Sequence, residues 1–388
     1  SRPATRYLHA VGTLLALALL AFAVASQRWW LLAAVLPVGY GPAWVSHLAV
    51  ERNRPLTFSH PWWSLRADFK MLALTLTGRM GREVARECLR LGVQVNFAPD
   101  VDINNNAANP VINDRSFGEN RLNVTAKAFQ YMRGLQDGGV MACAKHFPGH
   151  GDTGTDSHLD LPIIAQTTGR LDSLELFPFR VLAQHGIGSM MIAHLSVPAL
   201  DATANTPTTL SSRVVNGLLR KSIGFDGLIF TDAMGMKGVT KYFATGEADL
   251  RALIAGNDIV LLPEDVSKTI PVVENALASG VYNRAQFENS VRRVLHAKFK
   301  YGLTHPQSVV EENIRRELNT PYAQFLKRRL MAASLTLVRD RDRIVPVQLV
   351  DNQRLASLSL GASEATAFQN QLGFYAPIDH FFSEKNIS

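Results

Sequence analysis

Between residues 93 and 263 the chain repeats one pattern, a short apolar run followed by a stretch long enough for a helix. The runs are VQVNFAPDVDI (93–103), VMACAKHF (140–147), SMMIAHLSV (189–197), GLIFTDAM (227–234) and DIVLLP (258–263). Between them lie stretches such as NVTAKAFQYMRGLQDGG and LELFPFRVLAQHG, closed by Gly138-Gly139 and Gly186. Apolar strands separated by helical connections predict a parallel sheet, and repeated units of this kind an open α/β fold or a barrel. Polar residues gather where the strands end: Asp100 and Asp102, Lys145 and His146, His194, Asp232. That distribution belongs to a (β/α) barrel whose active site lies on the carboxyl face.

The first 80 residues have a different texture. They hold eight of the basic residues against only Glu51 and Asp68, so nearly all of the formal net charge of +7 is concentrated there, and no general basic face for nucleic acid remains. All five tryptophans also lie in this stretch. Ala10 to Ala25 carries no charge, and Trp29 to Val50 carries none apart from His47; each run approaches the roughly 20 residues that cross a bilayer. Arginines before the first run and after the second predict a membrane helical hairpin with both ends cytoplasmic. Residues 58 to 76 then read as an interfacial helix. The alternative is a secretory signal ending at Ala23-Val24-Ala25, which would place the rest outside the cytoplasm. Association with a membrane is expected in the first case, on a side that the sequence leaves open.

The phrase HLAVERNRPLTF, His47 to Phe58, resembles small membrane proteins related to the fungal dioxygenase that shortens 2-hydroxy fatty acids. That resemblance implies iron held by histidines near helix ends, with His9 and His47 as candidates and His60 as a third. Interface histidines bonded to backbone or headgroups are the plain alternative. Elsewhere no metal or cofactor is expected. Two cysteines, Cys88 and Cys143, support neither a disulfide framework nor a thiolate cage.

The most specific words are KHFPGHGDTGTDSH, Lys145 to His158, and IFTDAMGM, Ile229 to Met236. With NPVINDRSFGEN (Asn109 to Asn120) and VRRVLHAKFKYGL (Val291 to Leu303) they resemble family 3 glycoside hydrolases of the β-N-acetylglucosaminidase branch. The resemblance implies an α/β fold with an incomplete (β/α)8 TIM-like barrel over residues 81–305. A linker and the start of an α/β sandwich domain follow over 306–388, and the membrane segment precedes it over 1–80. The family's upstream acidic, glycine-containing phrase and its first strands are not found, so weak activity at best is expected, with an inactive fusion as the limit.

The chemistry reads beside that resemblance. A retaining glycosidase needs a nucleophile under the anomeric carbon and a proton donor beside the leaving oxygen. Asp232, ending an apolar strand, is the candidate nucleophile, with capping of the next helix as its alternative role. His158 is the candidate proton donor, oriented by Asp156. Lys145, His146, Arg115 and His194 are candidate substrate-binding residues. For Arg115 a salt bridge to Asp114 or Glu119 is the competing role. The expected substrate is an amino-sugar glycoside or a cell-wall-derived saccharide, with release of terminal β-linked N-acetylglucosamine. A phosphorylase using the same residues is one alternative, and an iron-dependent lipid oxygenase in residues 1–80 is another.

Overall fold

The computed structural model describes residues 79–154, 160–305, 308–335 and 354–384, with Ser26, Leu337 and Val345 as isolated positions. The expected hairpin, the interfacial helix, His9, His47, Asp156 and His158 lie outside the described residues. Among the described residues no helix is long and apolar enough to cross a membrane. Two compact units are present, one ending at Gln324 and the other spanning Phe325–Ser388.

The first unit is built on five parallel strands, β1 (Val95–Asn96), β2 (Met141–Phe147), β3 (Ser189–Ile192), β4 (Leu228–Ala233) and β5 (Ile259–Leu261), paired in chain order. The register runs Val95 to Met141, Cys143 to Ser189, Ser189 to Leu228 and Phe230 to Ile259. Each expected strand is present, and each is shorter than its apolar run. β1 stops early because Pro99 has no N–H to give the ladder. Pairing resumes at a single bridge between Asp100 and Lys145.

Successive strand residues face opposite ways, which sorts them into two cores. Ala142, Ala144, Met190, Ile192 and Ile229 face outward. They pack against helices α1 (Arg79–Arg90), α2 (Arg121–Asp137), α3 (Leu176–Gln184) and α4 (Arg213–Ser222), the last of them wound as a π-helix. Leu135 and Phe179 are completely buried there, and each such side chain contributes about 1.5–3 kcal/mol of burial. Met141, Cys143, Met191, Leu228 and Phe230 form the inner core, onto which Val294 and Ala297 of α5 (Arg284–Lys300) pack. Local chemistry sets the helix ends. The Asn120 side chain accepts from the Leu122 and Asn123 N–H groups, and Gly138-Gly139 returns the chain to β2 with Gly139 at φ +85°.

At the amino ends of the central strands, Asp258 ties this architecture together. Its side chain has no exposure. It accepts from Arg293 Nε at 2.9 Å, Arg220 at 2.5 Å and the Ile229 N–H at 2.9 Å, and also from Ser290. One carboxylate thus joins α4, β4 and α5 to the start of β5.

The second unit contains β6 (Leu355–Leu360), α7 (Ala367–Leu372) and β7 (Ile378–Ser383), the two strands parallel with Leu355 opposite Ile378. Thr366 and Gln369 form a reciprocal capping box at the start of α7. Helix α6 (Pro321–Ser334) precedes these elements in the chain.

Candidate active site

The carboxyl ends of β1 to β4 converge on a chain of polar groups organised by Asp102. Its side chain has no exposure, and its two oxygens accept three hydrogen bonds. Oδ1 takes the His150 N–H at 2.6 Å, and Oδ2 takes the His146 N–H at 3.1 Å and its Nδ1 at 2.7 Å. On the far side of the His146 ring, Arg115 approaches Nε2 to 3.0 Å. A guanidinium only donates, so Nε2 accepts and the single ring hydrogen sits on Nδ1, aimed at Asp102. Burial pushes His146 down to about 4, against the pull of Asp100 and Asp232, which agrees with a neutral ring.

Asp100 lies beside this chain with its Oδ2 buried and unbonded, 3.8 Å from both Arg115 Nε and His146 Nδ1. Burial, and then the neighbouring Asp102 charge, pushes its carboxyl up to about 8. Burial raises Asp102 as well. Because Asp102 accepts three hydrogen bonds and Asp100 one, from the Asp102 N–H, the negative charge settles on Asp102 and the proton on Asp100.

Asp100, Asp102 and His146 each offer a donor atom, all within 4.8 Å of one another, which on distance alone would suit a divalent cation. Their protonation does not fit one. The ring nitrogen that faces the carboxylates carries the hydrogen, and the guanidinium fixes that tautomer while adding a positive charge of its own. The cluster is a hydrogen-bonded support for Arg115 and the loop after β2.

That loop explains its own sequence. Gly149 has φ +127°, and a Cβ on Gly151 would stand 1.8 Å from the Ile103 carbonyl oxygen. Asn109 clasps the loop by donating to the His150 carbonyl at 2.8 Å and the Gly151 carbonyl at 3.1 Å. Beneath it the buried Glu175 is held by Arg170 at 2.7 Å. Beyond the loop Asp160 accepts from Lys241 Nζ at 2.9 Å and from the Tyr242 hydroxyl at 3.2 Å.

Asp232 stands near the end of β4, half-buried, and among the described residues accepts only from its own neighbour, the Ala233 N–H, at 2.8 Å. The next helical turn, Lys237–Thr240, starts after Met236 without a side-chain cap, so Asp232 does not cap it. Burial pushes its carboxyl up, but His146, His194, the Ala233 N–H and Lys145 together outweigh that and hold it below the ordinary carboxylate range. The ammonium of Lys145, half-buried near the end of β2, has no hydrogen-bond or ion-pair partner among the described residues. A desolvated, unpaired ammonium beside a carboxylate is a group waiting for an acceptor.

His146 and His194, both candidate substrate-binding residues, each have both ring nitrogens bonded within the protein. His194 is fully buried, with Nδ1 2.7 Å from Thr209 Oγ1 and Nε2 3.0 Å from the Ala233 carbonyl oxygen. Arg115 pairs with neither Asp114 nor Glu119; it reaches back to His146 and Asp100 and remains 42% exposed. Asp102, Asp100, Thr209 and the Arg170–Glu175 pair carry no role in the sequence reading. For the first two, the spacing Asp100-x-Asp102 after Pro99 was the available signal, since alternate residues of an extended chain share a face.

Comparison with known proteins gives the same picture. Residues 60–297 match the glycosyl hydrolase family 3 N-terminal domain, and residues 1–80 match a second family, 2-hydroxy-palmitic acid dioxygenase Mpo1-like. The chain is 32% identical over 300 residues to beta-hexosaminidase A of Pseudoalteromonas piscicida, covering 72% of this chain and 49% of that one. It is 39% identical over 242 residues to beta-hexosaminidase LpqI of Mycobacterium bovis, covering 58% of this chain and 61% of that one. The chain therefore spans about half to three-fifths of these curated relatives. A solved family 3 β-N-acetylglucosaminidase from Paenibacillus sp. str. FPU-7 superimposes with a TM-score of 0.70 at 32% identity, covering 79% of this chain and 60% of that one. With polar groups gathered at the carboxyl ends of parallel strands, and a family match over well over half its length, this chain belongs to glycoside hydrolase family 3.

Proposed function

We infer that the chain is a glycoside hydrolase that releases terminal β-linked N-acetylglucosamine with retention of configuration, through a covalent bond between Asp232 and the sugar. The observation that carries this reading is the state of Asp232: half-buried, ionised, with one hydrogen bond from its own neighbour and Lys145 close by. Such a carboxylate has an oxygen to give to an anomeric carbon, and Lys145 and the exposed side of Arg115 have donors for sugar hydroxyls. Asp156 and His158 act as the acid/base pair in this reading, on the strength of the KHFPGHGDTGTDSH phrase and the hexosaminidase names of the relatives. Residues 1–80 supply a membrane attachment, supported by their two uncharged runs.

The test is hydrolysis of a nitrophenyl N-acetyl-β-glucosaminide beside N,N′-diacetylchitobiose. General-acid help is worth about 10²–10⁴ in rate, and only the poor leaving group needs it. His158→Ala is therefore expected to cost far more on the disaccharide than on the aryl glycoside. Equal losses would remove His158 from the acid role, and sugar 1-phosphate formed in phosphate buffer would make the protein a phosphorylase.

A further inference from the structure

The hydrogen bonds of His194 fix its proton count. Nε2 lies 3.0 Å from the carbonyl oxygen of Ala233, which has no hydrogen to give, so Nε2 carries the hydrogen of that bond. Nδ1 lies 2.7 Å from Thr209 Oγ1. Thr209 has one hydroxyl hydrogen, and the Ala193 carbonyl oxygen at 2.7 Å takes it. Nδ1 is therefore also a donor, and a ring with two donated hydrogens is an imidazolium. The same count gives the opposite result at His146, where Arg115 makes Nε2 an acceptor.

A buried cation needs a counter-charge. Among the described residues, the titratable groups that act on Asp232 of β4 are His146 and Lys145 on β2 and His194. Asp232 is the anion of this set. Its neighbour in the chain, Ala233, is the residue whose carbonyl His194 holds.

We propose that His194 is a fixed imidazolium, a positioning residue that anchors the Asp232–Ala233 turn and supplies the counter-charge of the Asp232 carboxylate, and that it thereby favours the second half of the reaction over the first. This rests on the reading of Asp232 as nucleophile. In the first step an Asp232 oxygen bonds to the anomeric carbon, the bond to the leaving oxygen breaks, and that oxygen takes a proton from the acid. In the second step a water oxygen bonds to the same carbon and its proton passes to the base. The carbon–Asp232 bond breaks, and its electron pair returns to the carboxylate. A positive charge behind Asp232 stabilises the charge that returns in the second step, whereas in the first step that charge is being spent.

Two measurements on the full chain test this. Nitrogen-15 NMR of the imidazole-labelled protein, with the His194 signals assigned by their loss in His194→Gln, is expected to show both ring nitrogens protonated at neutral pH. One bare nitrogen would overturn the charge assignment, and this readout needs no substrate. In kinetics with the aryl glycoside, His194→Gln is expected to lower kcat on the order of 10²-fold with a much smaller change in kcat/KM, and to produce a burst of released phenol. Its acid limb in kcat/KM moves to higher pH, because Asp232 loses a cation that holds its carboxyl down. Equal losses in kcat and kcat/KM would overturn the second-step role. Should His194→Gln not fold, Thr209→Val is expected to give the same pattern more weakly and Thr209→Ser to restore it; an unchanged kcat in Thr209→Val overturns the proposal. Full activity in Asp232→Ala beside an intact imidazolium signature would overturn the nucleophile reading, and with it the second-step role, while the charge assignment stands.

Discussion

Asp258 and Asp232 lie toward opposite ends of adjacent strands, and the chain surrounds them differently. Asp258 is saturated by two arginines, a serine hydroxyl and a backbone N–H. Among the described residues Asp232 has one bond, from the residue that follows it. A carboxylate whose lone pairs are all spoken for can hold helices to a sheet and do little else. One that is ionised yet under-bonded, with cations nearby, keeps an oxygen for reaction. On the proposed function, the two ends of the sheet divide labour, the amino end for cohesion and the carboxyl end for chemistry.

Three substitutions would break or sharpen that division. The largest effect is expected at Asp232→Ala: turnover of the aryl glycoside falls on the order of 10⁴-fold, while the urea unfolding midpoint stays or rises. Azide is expected to restore part of the turnover and to give the inverted product, because the cavity under the anomeric carbon admits a small nucleophile. Easier unfolding with turnover retained would put Asp232 in the same class as Asp258.

Next comes Asp258→Ala, which leaves Arg220 and Arg293 facing a void. Removing one partner of a buried ion pair costs about 3–5 kcal/mol, readable from urea unfolding, with turnover per folded molecule unchanged. A loss of turnover without a loss of stability would carry chemistry to the amino end.

Asp100→Asn is read as a slope of stability against pH, and it places the third carboxyl. Asp100 titrates near 3.8 when exposed and is raised to about 8 in the fold. Between those values the folded chain holds a proton that the unfolded chain has released, so stability falls as pH rises, by at most about 1.4 kcal/mol per pH unit. Asn cannot titrate, so the difference in stability between native chain and variant is expected to grow in the variant's favour across that window. Parallel curves would mean that Asp100 is ionised in the fold.

Much of this architecture is legible in the sequence. Apolar runs and glycine stops locate β2 and β4 to within a residue or two, since strands buried on both sides leave continuous apolar text. β1 is misread in length because a single proline decides it. The site is legible where one strand end carries the residue, as with Lys145 and Asp232. It is illegible where a role depends on partners far along the chain. His146 is set by Asp102 and Arg115, 44 and 31 positions away, and His194 by Thr209 and Ala233. No local pattern encodes those pairings, so the partners of both rings appear only once the fold supplies the neighbours.

Asp102 has one more consequence. It accepts the backbone N–H groups of both His146 and His150, and so pins two points of the same turn to one atom cluster on β1's extension. Fixing a residue's backbone costs about 1–2 kcal/mol in entropy, and here folding has already met that cost across the turn that leads toward Asp156 and His158. On the proposed function, a sugar arriving at Lys145 meets an approach ordered in advance, so little of its binding energy is diverted into freezing that part of the protein.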